Sequence, residues 1–459
     1  MMKKGRNIGP IAMVAVIVAL AAFLGWFLMH VFEGEKPEVT LTPLPDYITG
    51  ETELSVHAAD AKRGLKRILV TAAQEGRTFK VIEQEFPFEG LANRHGTREA
   101  DVSFKMRPSL MHLAEGEIRV TVQVSDYSRR NSGDGNTSVV VHEMIVDTTP
   151  PSIRPISRLH YINQGGTGLV VYRQSSDTVR SGVYAGDLFF PGYPAGEEFT
   201  PGSMVCYFAV PTGMDPKGEV YLHAGDRAGN STRSSFNHLI RRKNFPVKKM
   251  TVSDRFIEKI LPEFAHVDFS GADRPVDKFL KINRELRVEN DETCRRVSAE
   301  SSVEKLWDGV FIRMKNAATM AGFGDERVYV YQDKTIDRQT HMGVDLASLA
   351  NAEIQAANSG RVVFAERLGI YGLTVILDHG QGISSLYAHL SSIDTEVGRF
   401  IERGERIGIS GQTGLAGGDH LHFSIMINGV FVNPIEFWDE QWIRNNIDRK
   451  LSLIRPARG

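Results

Sequence analysis

Gly411-Gln412-Thr413-Gly414-Leu415-Ala416-Gly417-Gly418, followed by Asp419-His420-Leu421-His422-Phe423-Ser424-Ile425-Met426-Ile427-Asn428, reads as a glycine-rich loop that runs into a strand. Side chains on a strand alternate faces, so His420 and His422 share one face while Leu421, Phe423, Ile425 and Ile427 share the other. One face is core, and the other carries two imidazoles. Asn428-Gly429 accepts the positive φ angles of a tight turn, and Val430-Phe431-Val432 supplies the return strand. No helix follows Gly411 to Gly418, so an anion site at a helix N-terminus does not apply, and the loop reads as a wall beside the imidazoles.

Five of the fourteen histidines lie between His341 and His422. In His341-Met342-Gly343-Val344-Asp345 an imidazole and a carboxylate stand four residues apart, and glycine at 343 lets the backbone bend so that they converge. With His422 they form a two-nitrogen, one-carboxylate set, the composition of a catalytic zinc site whose fourth position is open to water. Contacts of about 2.0–2.2 Å are expected around such an ion. Hydrolysis also needs proton transfer. His389 ends a strand that follows the turn Asp378 to Gly382, and His420 sits one pleat, roughly 6.5–7 Å, from His422. His389 and His420 are therefore the expected acid/base and transition-state-stabilising pair. His379 reads either as a sixth site residue or as a cap on its hairpin. Tyr387 precedes His389 by two, which puts both on one face, where the tyrosine lines the groove or packs.

His341-x-x-x-Asp345, Tyr387-Ala388-His389-Leu390 and His420-Leu421-His422-Phe423, in this order, resemble the lysostaphin-type zinc metallopeptidases that cleave peptidoglycan peptides. Gly322 to Arg327 and the Asp378-His379-Gly380 turn fit the same pattern. The resemblance covers roughly residues 311–434. It implies His341, Asp345 and His422 as Zn2+ ligands, His389 and His420 as catalytic, and a largely antiparallel β fold with the groove across its sheet. Some members of the family are non-enzymatic activators that have lost part of this set; this sequence departs at none of the five positions.

The remaining sequence places that domain. Lys3, Lys4 and Arg6 precede an apolar run from Ile8 to about Phe32, longer than the core of a cleavable signal and without a small-residue cleavage site. The expectation is an uncleaved anchor, with the basic flank in the cytoplasm and everything after Glu33 outside the inner membrane. Alternating strands such as Ile118 to Val124 and Val139 to Val146, then Leu169 to Tyr172 and Val220 to His223, predict two β modules joined at Asp147-Thr148-Thr149-Pro150-Pro151. A phrase recurs in Leu54 to Asp60, Val120 to Asp126 and Val220 to Asp226, each an alternating strand ending in an Asp-initiated turn. Such phrases resemble those of bacterial immunoglobulin-like modules. Ser253 caps an expected amphipathic helix that stops before Pro262, and Val276 to Val288 forms a second, in a connector that positions the last domain or covers its cleft.

The expected fold is mainly β. A cytoplasmic flank and transmembrane anchor (1–34) is followed by an immunoglobulin-like module (35–148), a second β module (149–242), a helical connector (243–306), the metallopeptidase domain (307–440) and a tail (441–459). A net charge of -2 gives no field suited to nucleic acid, and with only Cys206 and Cys294 there is no thiolate zinc cluster; the two are isolated thiols or a single bridge. The expected function is that of a membrane-anchored zinc endopeptidase acting on peptidoglycan peptides in the periplasm or cell-wall space, with an envelope regulatory protein as a further partner. The alternative is a non-catalytic or autoinhibited peptidoglycan-binding regulator of another cell-wall hydrolase.

Overall fold

Ile118, Val120, Val122 and Val124 are buried while the residues between them are partly or fully exposed, as a repeat of two requires. They belong to the strand Gly116–Asp126, central in a five-stranded sheet between Thr137–Val146 and Leu65–Gln74. Glu38–Thr42, Thr52–Ala59 and Glu99–Met106 form a three-stranded sheet, and Leu54, Val56, Val70 and Val122 share one core between the two sheets. The turns at Asp60 and Asp126 form as expected. Asp60 Oδ1 accepts from the Arg63 and Gly64 amides at 2.6 Å each, and Asp126 Oδ1 accepts from Ser128 at 2.9 Å.

The computed structural model describes residues 9–456, so the Lys3, Lys4 and Arg6 flank lies outside the described residues. The helix Gly9–Val31 exposes its apolar side chains, and Ile11–Val31 has a mean hydropathy of 2.7. Its 21 residues rise about 1.5 Å each, enough to span a hydrocarbon core of ~30 Å. By length and composition it suits a membrane anchor or a signal sequence.

Contacts divide the chain into two units, residues 1–150 with 228–230, and residues 151–227 with 231–459. The second unit begins with two four-stranded sheets around Val171, Phe190, Phe208 and Leu222. The segment after residue 243 is not wholly helical. Val247–Thr251 is a strand that pairs in parallel with Glu326–Tyr331, a partner nearly eighty residues away. Ser253 then caps Asp254–Ile260 by accepting from the Phe256 amide, and a helix starting at Pro275 continues through a π turn, Ile282–Leu286, into Arg287–Val297. Cys206 and Cys294 are separate buried thiols.

A ten-stranded sheet follows. Its strand Leu421–Ile427 lies between Val344–Ala347 and Ile383–Ile393, antiparallel to both, and is buried on both faces. Asn428 and Gly429 take positive φ angles of 46° and 76°, which turns the chain into Val430–Val432.

Glu436 ties the end of this sheet to the first part of the unit. It accepts from the Thr167 amide at 2.8 Å and from Asn163 Nδ2 at 3.2 Å, and a Cβ at Gly166 would stand 2.4 Å from Glu436 Oε1. Burial pushes its carboxyl from 4.5 up to about 7. A raised folded-state value gives stability that is complete below about pH 4.5 and lost as pH rises through 7. The slope in that window approaches ~1.4 kcal/mol per pH unit. Glu436→Gln should therefore flatten the decline in unfolding free energy across this window; denaturant titrations at its two ends check this, and an unchanged slope would assign the titration elsewhere.

Candidate metal centre and active site

Register builds the centre. In the pairing of Val344–Ala347 with Leu421–Ile427, Asp345 lies directly opposite His422, so the two side chains emerge on one face as a cross-strand pair. His341 sits just before the first of these strands, held by Asp325 O accepting from its amide at 2.9 Å. Asp345 Oδ1 is 3.0 Å from His341 Nε2 and 2.8 Å from His422 Nδ1, and the two nitrogens are 3.0 Å apart. All three side chains are buried or nearly so.

Outer hydrogen bonds decide which nitrogens carry protons. His341 Nδ1 donates to Gly322 O at 2.8 Å, which leaves Nε2 with a lone pair in the neutral ring. Ser424 Oγ donates to Met342 O at 2.9 Å, so it accepts from His422 Nε2 at 3.1 Å and leaves Nδ1 bare. His389 Nδ1 donates to Thr413 O and His420 Nδ1 to Gly418 O, each at 2.8 Å. His389 Nε2 is free in the same way, whereas His420 Nε2 faces Asp345 Oδ1, which favours a proton on it. Two lone pairs facing each other across 3.0 Å beside a carboxylate oxygen repel unless a cation lies between them, and two nitrogens with one oxygen suit zinc. The group His341, Asp345 and His422 can hold a metal ion.

His420 and His389 stand beside that group. Their ring centroids are 4.8 Å apart, and the His389 ring is 5.8 Å from that of His422. His420 Nε2 is 3.6 Å from Asp345 Oδ1. All five residues expected from sequence thus converge. Burial, reinforced by His420 and His422, holds the His389 imidazole well below its ordinary value, so it is neutral. For His420 burial works against the charged form, but the hydrogen bond and charge of Asp345 outweigh it and raise the value. Burial alone would raise Asp345, but the three imidazoles facing it, His341, His420 and His422, favour its charged form whenever they take up a proton and hold its carboxyl well below the carboxylate range.

Two sequence arguments are corrected. Tyr387 does not share the face of His389. Tyr387 pairs with Phe423 and Ala388 with His422, so the tyrosine points to the Phe423 side, its ring 5.3 Å from Phe423 and its hydroxyl bonded to the Ala357 amide at 2.7 Å. His389 has φ +62°, and the strand slips against its neighbour between Tyr387 and Leu390. That bulge breaks the alternation and turns His389 to the His422 side. Gly343, for its part, needs no positive φ; its value is space, because a Cβ there would stand 2.5 Å from His422 Nε2 and from Ser424 Oγ. His379 is a packed residue, with Nδ1 on Ser359 O and Nε2 on Ser385 Oγ, both at 2.7 Å.

Residues without an assigned role in the sequence complete the centre. Arg327 Nη2 donates to Asp345 Oδ2 at 2.8 Å and fixes the carboxylate from behind. Ser424 lies two residues beyond His422 and so on its face, a position the alternation rule already marks. Above the triad is a cavity of about 220 Å³ whose walls include Tyr371 and Leu415, and also Phe256, Phe279 and Arg287 from the segment before residue 339. That segment is pinned across the groove. Glu263 Oε2 meets Arg367 Nη1 at 2.7 Å and the Gly414 amide at 3.1 Å, Lys259 Nζ meets Gly417 O at 3.2 Å, and Asn290 Oδ1 takes the Ile370 amide at 2.8 Å.

Residues 339–434 match peptidase family M23. Over 95 residues, 21% of this chain and 22% of the relative, the chain is 40% identical to the DD-carboxypeptidase/endopeptidase Mpg of Neisseria meningitidis. It is 36% identical over 92 residues, 20% of this chain and 22% of the relative, to the murein hydrolase activator EnvC of Escherichia coli. The catalytic domain of lysostaphin from Staphylococcus simulans is 30% identical, covering 27% of this chain and 92% of that domain, with a TM-score of 0.24. The matched region therefore spans about a fifth of the length of these curated relatives. The C-terminal part of this chain is a domain of peptidase family M23, of the lysostaphin type.

Proposed function

We propose that the chain is a membrane-anchored zinc endopeptidase that hydrolyses peptide bonds of peptidoglycan outside the inner membrane. The observation that carries this reading is the arrangement of four imidazoles around Asp345, each with its outer N–H bonded and its other nitrogen turned inward. His341 Nε2, Asp345 Oδ1 and His422 Nδ1 would hold the ion, which when bound supplies Lewis acidity and a nucleophile at neutral pH. His389, neutral and with Nε2 free, accepts a proton at that atom. His420, whose imidazole Asp345 biases toward the charged form, stabilises negative charge developing on the scissile carbonyl and can return a proton to the leaving amine. Arg327 orients Asp345 through its bond to Oδ2. A relative named as a DD-carboxypeptidase/endopeptidase and one named as a murein hydrolase activator support a cell-wall peptide substrate, and the helix Gly9–Val31 supports the anchor.

The bridged segment over the centre favours a second reading, that the isolated chain rests in a closed state awaiting an envelope partner. A cavity of about 220 Å³ is below the ~300–1,000 Å³ of common ligand pockets, so an extended peptide requires the Lys259 and Glu263 contacts to open.

Zinc-loaded protein should release peptides from purified sacculi, read by mass spectrometry, and release of none both by it and by the variant with glutamine at Lys259 and Glu263 would overturn the peptidase reading. His422→Ala should abolish metal binding, while His389→Ala should keep the metal and lose about 10²–10⁴-fold in turnover. Metal competition should find Ser424→Ala weaker by about 10–100-fold, because the His422 tautomer loses its acceptor. Replacing Lys259 and Glu263 together by glutamine should raise turnover severalfold in the closed-state reading; an unchanged rate would make the covering segment a fixed wall.

A further inference from the structure

The cavity over the triad has one wall that lies outside the family match. Before the match, Met250, Val252, Phe256 and Phe279 line it with apolar side chains, and of its two arginines Arg327 is paired with Asp345, which leaves Arg287. Arg287 opens the helix Arg287–Val297 directly after the π turn Ile282–Leu286, and a widened turn of that kind re-aims the side chain that follows it. Its placement is fixed. Nη2 donates to Asn283 Oδ1 at 2.7 Å and Nε to Asn283 O at 3.2 Å. Asn283 is itself fully buried and donates through Nδ2 to Asp337 Oδ2 at 2.7 Å. A guanidinium has five N–H donors, and two are used here. Among the described residues the other three meet no protein acceptor and form no salt bridge, although the charge of Arg287 acts through space on Asp291, one turn along the helix.

Arg287 is half-buried and its unspent donors are not sealed off, so a ligand in the cavity can reach a cation already held in place. The planar fork suits a carboxylate. We propose that Arg287 is a substrate-binding residue that recognises a carboxylate of the peptide seated over His341, Asp345 and His422. This rests on the peptidase reading above for the identity of the peptide. It assigns the segment before residue 339 a part in specificity. Peptides with a free carboxylate near the scissile bond are preferred over those in which that group is amidated.

Binding tests this without turnover. Full-length protein stripped of metal by a chelator would be titrated calorimetrically with a synthetic stem peptide and with the same peptide carrying amides in place of its carboxylates. A charge-assisted fork contact should favour the free-acid peptide by about tenfold or more. Arg287→Gln should bring the ratio of the two dissociation constants close to one, and Arg287→Lys, which keeps the charge without the fork, should leave it intermediate. If the glutamine variant fails to fold, the lysine variant alone decides, through a ratio reduced severalfold. Equal binding of both peptides by the wild type, or an undiminished ratio in the variants, would overturn the assignment. Failure to digest sacculi, even with glutamine at Lys259 and Glu263, with the ratio intact would instead overturn the peptidase reading and leave the carboxylate site standing.

Discussion

Everything in the centre depends on one buried carboxylate. Asp345 Oδ1 lies within hydrogen-bonding distance of His341 Nε2 and His422 Nδ1, with His420 Nε2 just beyond, while Oδ2 is taken by Arg327. It stands there because Val344–Ala347 is zipped to Leu421–Ile427 in a single register. A slip of one residue would turn Asp345 away and bring Leu346 into its place. That slip is resisted from the other side of the sheet, where Leu346, Leu421, Phe423 and Ile425 are all buried. The apolar face thus sets the geometry of the polar one, and a metal-binding group is specified largely by hydrophobic burial.

His389 shows the opposite strategy. Its left-handed backbone is costly, of order 1–3 kcal/mol for such a conformation, and persists only where its surroundings over-determine it. Thr413 does so with three bonds: its carbonyl takes His389 Nδ1, its hydroxyl donates to Leu390 O at 2.7 Å, and that hydroxyl accepts from the Leu373 amide at 2.9 Å. Gly372 makes room, since a Cβ there would stand 2.3 Å from Thr413 Oγ1. The glycine-rich loop is therefore more than a wall. It straps the bulge that delivers His389.

These two cases explain what was legible in the sequence. The strand with His420 and His422 obeys alternation, so its two faces, its hairpin and its part in the centre could be read directly. The spacing His341 to Asp345 was equally readable, although the role of Gly343 was not, because a close approach to His422 involves a residue some eighty positions away. The shared face of Tyr387 and His389 was misread for a physical reason: a bulge is set by the neighbouring strand and by Thr413, neither of which is visible in the local pattern. The capped helix after Ser253 was legible from its own residues. The parallel pairing of Val247–Thr251 with Glu326–Tyr331, which brings the connector over the groove, is a non-local contact with no periodic signature.

The charge distribution links the covering segment to the chemistry beneath it. Arg327 is matched by Asp345, while Arg287 forms no salt bridge among the described residues and meets the charge of Asp291 only at longer range. A divalent cation in the triad would add to that excess rather than relieve it. In a space walled by Phe256 and Phe279 such an imbalance is poorly screened, so the groove favours an anionic group at the moment of binding. The segment from Val247 to Val297 then has two effects that pull in different directions. Its contacts at Lys259 and Glu263 narrow the entrance, while Arg287, held by Asn283, makes the interior more attractive to a carboxylate. A ligand that opens the first set of contacts and satisfies the second would provide its own differential free energy for the change, which is the condition any ligand-driven opening has to meet.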